Sequence, residues 1–475
     1  MRLRPSLLAP LLASVAALAL SACAATGADG PPIAPTPVPA TFAAAPEQQA
    51  YAPQPDWWRA LKDPALDGLE ARVLVANRDL LAAEAEVRQA RALAKVEGWN
   101  LLPFGGASAG AGRQRQAAFD AEDNYVSVGA EVSWEADVFG RLRAGAAAAQ
   151  AQALGIDEAR RGAMAALTAQ TASTYADLRG AQARLTAARA NAAIQQDTVR
   201  LTDGLRAGGR ATPFDVMRAR AQLETTQAAI PLLESQISGD IAALDVLAAG
   251  LPEDIKAALQ AFAPPPATPE QVFVGSPDEM LRRRPDIRRA EARVQEASAR
   301  VRGARVDWWP RLTFVGSVSS LAGSIGGLGD HKGLSFNIGP QIDWPALDFR
   351  RNALRLEAAK AGFEADYLRY DTSVLSGVRD VESSLTALEA AQRSQARLEA
   401  AVAAARTAAE VSRIRYREGV DAFFNVLDAE RSLAQAEDSL AAAQTRSTVS
   451  YIRLGQALGV GWSDAPARQM AVAAR

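Results

Sequence analysis

Apolar residues recur every three or four positions along much of the chain, and in a few short stretches they alternate one by one with polar residues. Val374, Val378, Val381, Leu385 and Leu388 step by 4, 3, 4 and 3. That spacing keeps an apolar stripe on one side of a helix and packs it lengthwise against neighbours. No proline falls between Pro345 and the turn at Gly419. A continuous helix from about Arg350 to Arg417 would be ~100 Å long at 1.5 Å per residue. Strict alternation appears at Val126, Val128, Ala130, Val132 and Trp134, and at Phe336, Ile338, Pro340, Ile342 and Trp344. Leu312, Phe314, Gly316 and Val318 form a third, weaker set. The run after Phe104 is a fourth and is poor in apolar side chains.

Strands near ten residues long with one apolar face fit a membrane barrel, and equally a soluble antiparallel sheet. No later segment is apolar and long enough for a transmembrane helix, so a membrane crossing would fall to the strands. Four strands cannot close a barrel, since the smallest outer-membrane barrels have about eight. Two copies would give about eight strands and a filled lumen; three would give about twelve and a pore. The pattern of residues leaves that choice open.

The chain contains itself twice. Glu84-Ala85-Glu86-Val87 matches Glu291-Ala292-Arg293-Val294, and Pro103 matches Pro310, at an offset of 207. After a three-residue slip the offset becomes 210, pairing Trp134 with Trp344, Gly209 with Gly419, Phe214 with Phe424, Val216 with Val426 and Leu223 with Leu433. Each half therefore reads as helix, strand pair, long helix, turn, helix. Asp63-Pro64 and the capping box Ser276-Pro277-Asp278-Glu279 mark where the halves begin their first helices. The organisation expected is a first repeat over 56–263 with its strand pair at 104–139, a linker at 264–275 containing Pro264-Pro265-Pro266, and a second repeat over 276–462 with its strand pair at 311–347. A tail follows at 463–475.

The amino terminus reads as an address. Arg2 and Arg4 precede an apolar core from Leu7 to Leu20, too short for a bilayer span and right for a signal peptide over 1–22. Leu20-Ser21-Ala22-Cys23 resembles the bacterial lipobox, which implies cleavage before Cys23 and acylation of it, palmitate included. Acyl chains contribute ~0.8 kcal/mol per buried methylene, so several would anchor firmly. Residue 24 is alanine rather than the aspartate that retains many such lipoproteins in the inner membrane. Residues 23–55, rich in Pro, Ala and Gly, read as an extended tether.

Composition removes most chemistry. A formal net charge of -2 gives no nucleic-acid footprint. The single cysteine cannot form an internal disulfide, and the single histidine, His331, sits in a glycine-rich loop and reads as an exposed loop residue. No cofactor, metal site or enzyme activity is expected, though a carboxylate-based envelope enzyme is a distant rival. Trp57-Trp58 reads as packing on the helical body, with a membrane-interface role the alternative.

Four segments resemble the outer-membrane efflux protein (TolC-like) family, in its lipoprotein branch: Leu281-Arg282-Arg283-Arg284-Pro285-Asp286-Ile287; Trp308-Trp309-Pro310; Arg415-Tyr416-Arg417-Glu418-Gly419; and Asn425-Val426-Leu427-Asp428-Ala429-Glu430-Arg431. The resemblance runs from Trp57 to Trp462. It implies a mostly α fold with a β part: a homotrimer whose twelve strands form an outer-membrane barrel, continuous with a barrel of long helices. It also implies a periplasmic adaptor and an inner-membrane pump as partners, and passive, gated export of small molecules such as drugs. The helical-hairpin tips, 206–214 and 417–424, would face the adaptor, with Gly208, Gly209, Gly419 and Val420 at the turns. Glycine accepts the positive φ of a tight helix end, a property any helical hairpin shares. Phe424, Asp428 and Arg431 are spaced four and three apart, on one helical face. By the resemblance they line the periplasmic gate: Phe424 would block the axis, while Asp428 and Arg431 pair to hold it shut. Tyr416 matches a position that links neighbouring helices. The competing readings are a lipid-anchored periplasmic coiled-coil scaffold without a pore and a protein-secretion outlet.

Overall fold

The computed structural model describes residues 37–44, 56–116, 121–269, 272, 274–331 and 333–462. The signal segment, Cys23, most of the tether, Asp120 and the tail after Trp462 lie outside the described residues. The described chain divides into two compact units, one built from 88–155 and 290–371 and the other from 37–87, 156–289 and 372 onward.

Helix α1 (Pro64–Ala76) starts where Asp63 accepts hydrogen bonds from the Ala65 and Leu66 amides and Pro64 pre-sets φ in the first turn. Helix α2 (Arg78–Trp99) follows after a break at Asn77. The strands come next, then α3 (Arg141–Ala207), α4 (Pro213–Leu247) and a short α5 (Glu253–Gln260). The second half repeats the order with α6 (Pro277–Arg283), α7 (Pro285–Val306), two strands, the 69-residue α8 (Phe349–Arg417) and α9 (Phe423–Ala457). Ser276 and Glu279 form the capping box that opens α6.

The break in each half is held by a side chain that reaches the end of a distant helix. Asn77 Oδ1 accepts from the Leu80 amide, and its Nδ2 donates to the Leu247 carbonyl at the end of α4 over 2.9 Å. In the second half Arg284 stands at the break, and its Nη1 donates to the Ala457 carbonyl at the end of α9 over 3.1 Å. Arg284 also pairs with Asp286 at 2.7 Å and Asp380 at 3.2 Å. Asn77 and Arg284 are mates at the 207 offset, and Leu247 and Ala457 at the 210 offset. A residue of different chemistry thus fills the same role in each copy, satisfying a carbonyl that the helix end leaves orphaned.

Within the second unit, Val374, Val381, Leu388, Val402, Ala409 and Tyr416 of α8 all lie at multiples of seven from one another, and all are buried. This is a coiled-coil seam continued to the end of the helix. Trp57 and Trp58 are buried, and Trp57 lies 6.1 Å from Tyr451, so the pair packs on the helical body. The linker is docked: the Thr448 hydroxyl of α9 donates to the Pro266 carbonyl over 2.7 Å. Part of the tether region is docked too. Phe42 is fully buried, and Glu382 of α8 accepts from the Ala43 and Ala44 amides at 2.5 and 3.0 Å.

Glu70 on α1 is completely buried, and neither of its carboxylate oxygens has a partner among the described residues. Burial, with the charge of Asp67 as a smaller cause, raises its carboxyl well above the ordinary 4.5. An unfolded chain would release this proton near the ordinary value while the folded chain keeps it. The unfolded state therefore binds fewer protons in that interval, and the stability present below pH 4.5 is lost as pH rises through the folded value. Glu70→Leu is expected to stabilise the protein by about 2 kcal/mol at neutral pH, by removing an unsatisfied buried acid. It should also flatten the fall in unfolding midpoint with rising pH. An unchanged midpoint at pH 7 would count against this account.

The four strands, β1 (Phe104–Gln116), β2 (Ala121–Ala136), β3 (Arg311–Ala322) and β4 (Leu334–Asp343), form one antiparallel sheet in the order β1-β2-β3-β4. The register joins the two halves through β2 and β3, with Trp134 opposite Phe314 and Val132 opposite Gly316. Directly opposed residues share a face, so the pairing sorts the sheet into two sides.

Candidate functional site: the two-faced sheet and the hairpin tips

One face of the sheet carries the rows Ala107–Ala130–Val318–Phe336 and Gly105–Val132–Gly316–Ile338, with Trp134–Phe314–Pro340 beside them. The other carries Ser108–Gly129–Ser319–Ser335 and Gly106–Glu131–Ser317–Asn337, with Glu135–Thr313–Gln341 beside them. Phe336, Ile338 and Ile342 are 76, 79 and 69% exposed, so the protomer leaves its apolar face uncovered. The apolar side of β1 consists of Ala107, Ala109 and Ala111, small residues that match Ala130, Val128 and Val126. The far edges of β1 and β4 have no strand partner among the described residues.

Trp99, Trp134, Trp308, Trp309 and Trp344 gather at the end of the sheet where strands meet helices. This is the position that aromatic side chains favour at a membrane boundary. Trp134 Nε1 donates to the Leu101 carbonyl over 3.0 Å and Trp344 Nε1 to the Trp308 carbonyl over 3.2 Å. Donors and acceptors are repeat mates, so duplication preserved the bond as well as the residue.

In the other unit, the long helices end in paired tips. Helix α3 closes on Gly209 at φ +72°, where Arg210 N donates to Leu205 O and Gly209 N to Arg206 O. Helix α8 closes identically on Gly419 at φ +76°, where Val420 N donates to Arg415 O and Gly419 N to Tyr416 O. Both are Schellman ends, which explains the glycines. Gly208 has no such demand on its backbone. The neighbourhoods differ: a Cβ at Gly209 would meet open space, whereas one at Gly419 would sit 2.5 Å from Arg210 Nη2 of the first tip. Helix α4 then begins with the capping box of Thr212 and Asp215. At the second tip the mates are Ala422 and Asn425, which form no capping box; Asp421 accepts from the Ala422 amide, from Arg415 Nε and from Asn425 Nδ2.

Beneath the tips, Ala192, Val199, Ala219, Leu223, Tyr416, Phe423, Val426 and Leu427 make one apolar cluster. Tyr416 lies inside it, 5.5 Å from Phe423 ring to ring, and joins its own helix to α9 rather than facing solvent. Phe424, Asp428 and Arg431 share the opposite, exposed face of α9. Their spacing suggests an ion pair between Asp428 and Arg431. Among the described residues Asp428 and Arg431 form no ion pair within the protomer.

Behind the tips runs a polar seam that sequence reasoning missed. Thr198 Oγ1 of α3 donates to Glu430 of α9 over 2.6 Å, and Arg413 of α8 lies 3.7 Å from the same carboxylate. Seven residues along each helix, Asn191 donates to Glu437 over 2.9 Å, and Arg406 pairs with it at 2.8 Å. Two rungs of the same plan, a carboxylate between a polar donor and an arginine, therefore join three helices. Burial pushes the Glu430 carboxyl above its ordinary range, partly offset by the Thr198 hydrogen bond and the Arg413 charge. The heptad spacing of Glu430 and Glu437 could have signalled the seam. Among the described residues no cluster suits a metal ion, and no helix is long and apolar enough to cross a membrane.

An apolar-faced sheet with two open edges, joined in sequence to very long helices ending in paired tips, defines the protomer of a channel that combines a β-barrel with a helical duct. A family model described as outer membrane efflux protein matches residues 70–250 and 276–460, and the chain belongs to that family. The chain is 29% identical to the outer membrane protein OprJ of Pseudomonas aeruginosa, over 94% of this chain and 95% of that one. It is 31% identical to the pyoverdine export outer membrane protein OpmQ of Pseudomonas putida, over 91% and 96%. The solved outer-membrane channel OprN superposes with a TM-score of 0.83 at 31% identity, covering 91% of this chain and 99% of that one. The protein is thus an outer-membrane efflux component, a member of a family of transport channels and not of enzymes.

Proposed function

We propose that three copies of this chain form a passive, gated exit duct for small molecules, anchored by lipid on Cys23 and served by a periplasmic adaptor and an inner-membrane pump. The observation that carries the reading is the sheet: four strands, one apolar face and two free edges. Free edges in lipid cost several kcal/mol per unsatisfied group, and copies pairing β4 to β1 remove them. Three such sheets supply twelve strands, enough for a pore lined by the serine- and carboxamide-bearing face. The small-molecule reading is supported by relatives described as toluene and solvent efflux components and as a pyoverdine exporter. Exposed Val420, beside Gly419 at the tip, is a surface an adaptor would meet. Phe424, Asp428 and Arg431 form the periplasmic gate, the two charges pairing between copies.

The test is the native mass of detergent-extracted protein together with the mass of its amino-terminal peptide. The expected result is a trimer carrying acyl chains on Cys23. A stable monomer would overturn the duct and favour an anchored scaffold, and an unmodified Cys23 would remove the lipid anchor alone.

A further inference from the structure

Arg218 lies one turn after Phe214 on α4. Its guanidinium carbon is 5.4 Å from the centre of the Phe214 ring and 5.5 Å from that of Phe424 on α9. The two phenylalanines are mates at the 210 offset, so one cation is held between equivalent rings on the two hairpins. A planar guanidinium is attracted to the negative face of a phenyl ring and stacks on it. The alternative partner is close in sequence logic: Asp428 is the repeat mate of Arg218 and stands one turn beyond Phe424. Among the described residues Arg218 makes no ion pair with it or with any other acid. Phe214 and Phe424 remain 66% and 56% exposed, so general burial does not hold these rings in place. The hairpins are also joined by the apolar cluster around Phe423 and by the Glu430 and Glu437 rungs, but Phe424 is not a member of that cluster and the rungs lie further along α9.

We propose that Arg218 is the positioning residue of the gate. It couples the first hairpin to Phe424 of the second and fixes where that ring projects. Because its charge faces the rings, Asp428 is left for an arginine of the neighbouring copy. This inference rests on the reading of Phe424, Asp428 and Arg431 as a gate.

Single-channel conductance of the full-length trimer in planar bilayers tests it, with heat stability of the trimer measured in parallel. R218A is expected to raise conductance several-fold at unchanged trimer stability. R218K, which keeps a cation over the rings, should stay near the native value. R218A combined with F424A should open no further than either change alone. A purely structural role would lower trimer stability without moving conductance, and that result overturns the proposal. Should R218A fail to assemble, R218M retains the packing while dropping the charge, and carries the same expectation. If D428A with R431A opens the channel and neither R218A nor R218M does, the latch fails and the gate stands. If none of these variants opens it, the gate reading fails and the latch with it.

Discussion

Replacing Asp428 and Arg431 together with alanine is expected to raise the open population of the channel about tenfold. An exposed ion pair is worth about 0.5 kcal/mol. Three copies closing one mouth would combine to about 1.5 kcal/mol, and 1.4 kcal/mol is a factor of ten in an equilibrium between two states. Neither residue has an in-chain partner among the described residues, so their removal should leave the protomer's own packing intact. Single-channel recording checks the prediction. Conductance equal to that of the native protein would remove both residues from the gate and leave them as solvated charges on an exposed helix face. The corresponding first-hairpin positions, Arg218 and Ala221, do not repeat the pattern, so the same double substitution has no counterpart on the first hairpin.

Arg179→Met should destabilise the protein by about 3 kcal/mol, the loss seen when one partner of a buried charged hydrogen-bond set is removed. The Arg179 guanidinium is 2% exposed and closes the end of α5, donating to the carbonyls of Ala258 at 3.0 Å and Ala261 at 2.6 Å. Gln182 accepts a further bond from it at 2.8 Å and itself donates to Leu259 O. The guanidinium also lies 4.9 Å from the Tyr175 ring, whose hydroxyl donates to Asp63, the cap of α1. One side chain thus links α3 and α5 and, through Tyr175, reaches α1. Methionine keeps much of the volume but leaves orphan carbonyls at a buried helix end. The unfolding midpoint in denaturant is the measurement, and an unchanged midpoint would show that water or neighbouring groups replace those bonds.

What could be read from the sequence was local or periodic. Asp63-Pro64 and Ser276-Pro277 announce helix starts because a cap and its amides lie within three residues of each other. The heptad that ends on Tyr416 is visible because the period repeats. Gly209 and Gly419 were legible as helix ends, since only the backbone of the turn itself demands them. The breaks at Asn77 and Arg284 were not legible, because each depends on a carbonyl about 170 residues away. Nor was α5, a short helix whose end Arg179 completes from another part of the chain. The apolar face of β1 was hidden by its smallness: three alanines among glycines and polar residues carry too little hydrophobicity to stand out until the register sets them beside valines. The spacing puts Asp428 and Arg431 on one helical face, and both are exposed, but spacing alone does not say whether two charges turn toward each other. The contact of Arg218 with Phe424 leaves no periodic trace, since it pairs residues from different helices.

The two rungs on Glu430 and Glu437 constrain how the tips can travel. Along all three helices the rungs recur after seven residues, which is about 10.5 Å of helix. A lengthwise slip of α9 by any smaller step would leave both carboxylates facing the wrong neighbours, and for the buried Glu430 the loss of its donors is costly. The seam therefore behaves like a toothed rack with a coarse pitch, fixing the axial register of the three helices at the tips.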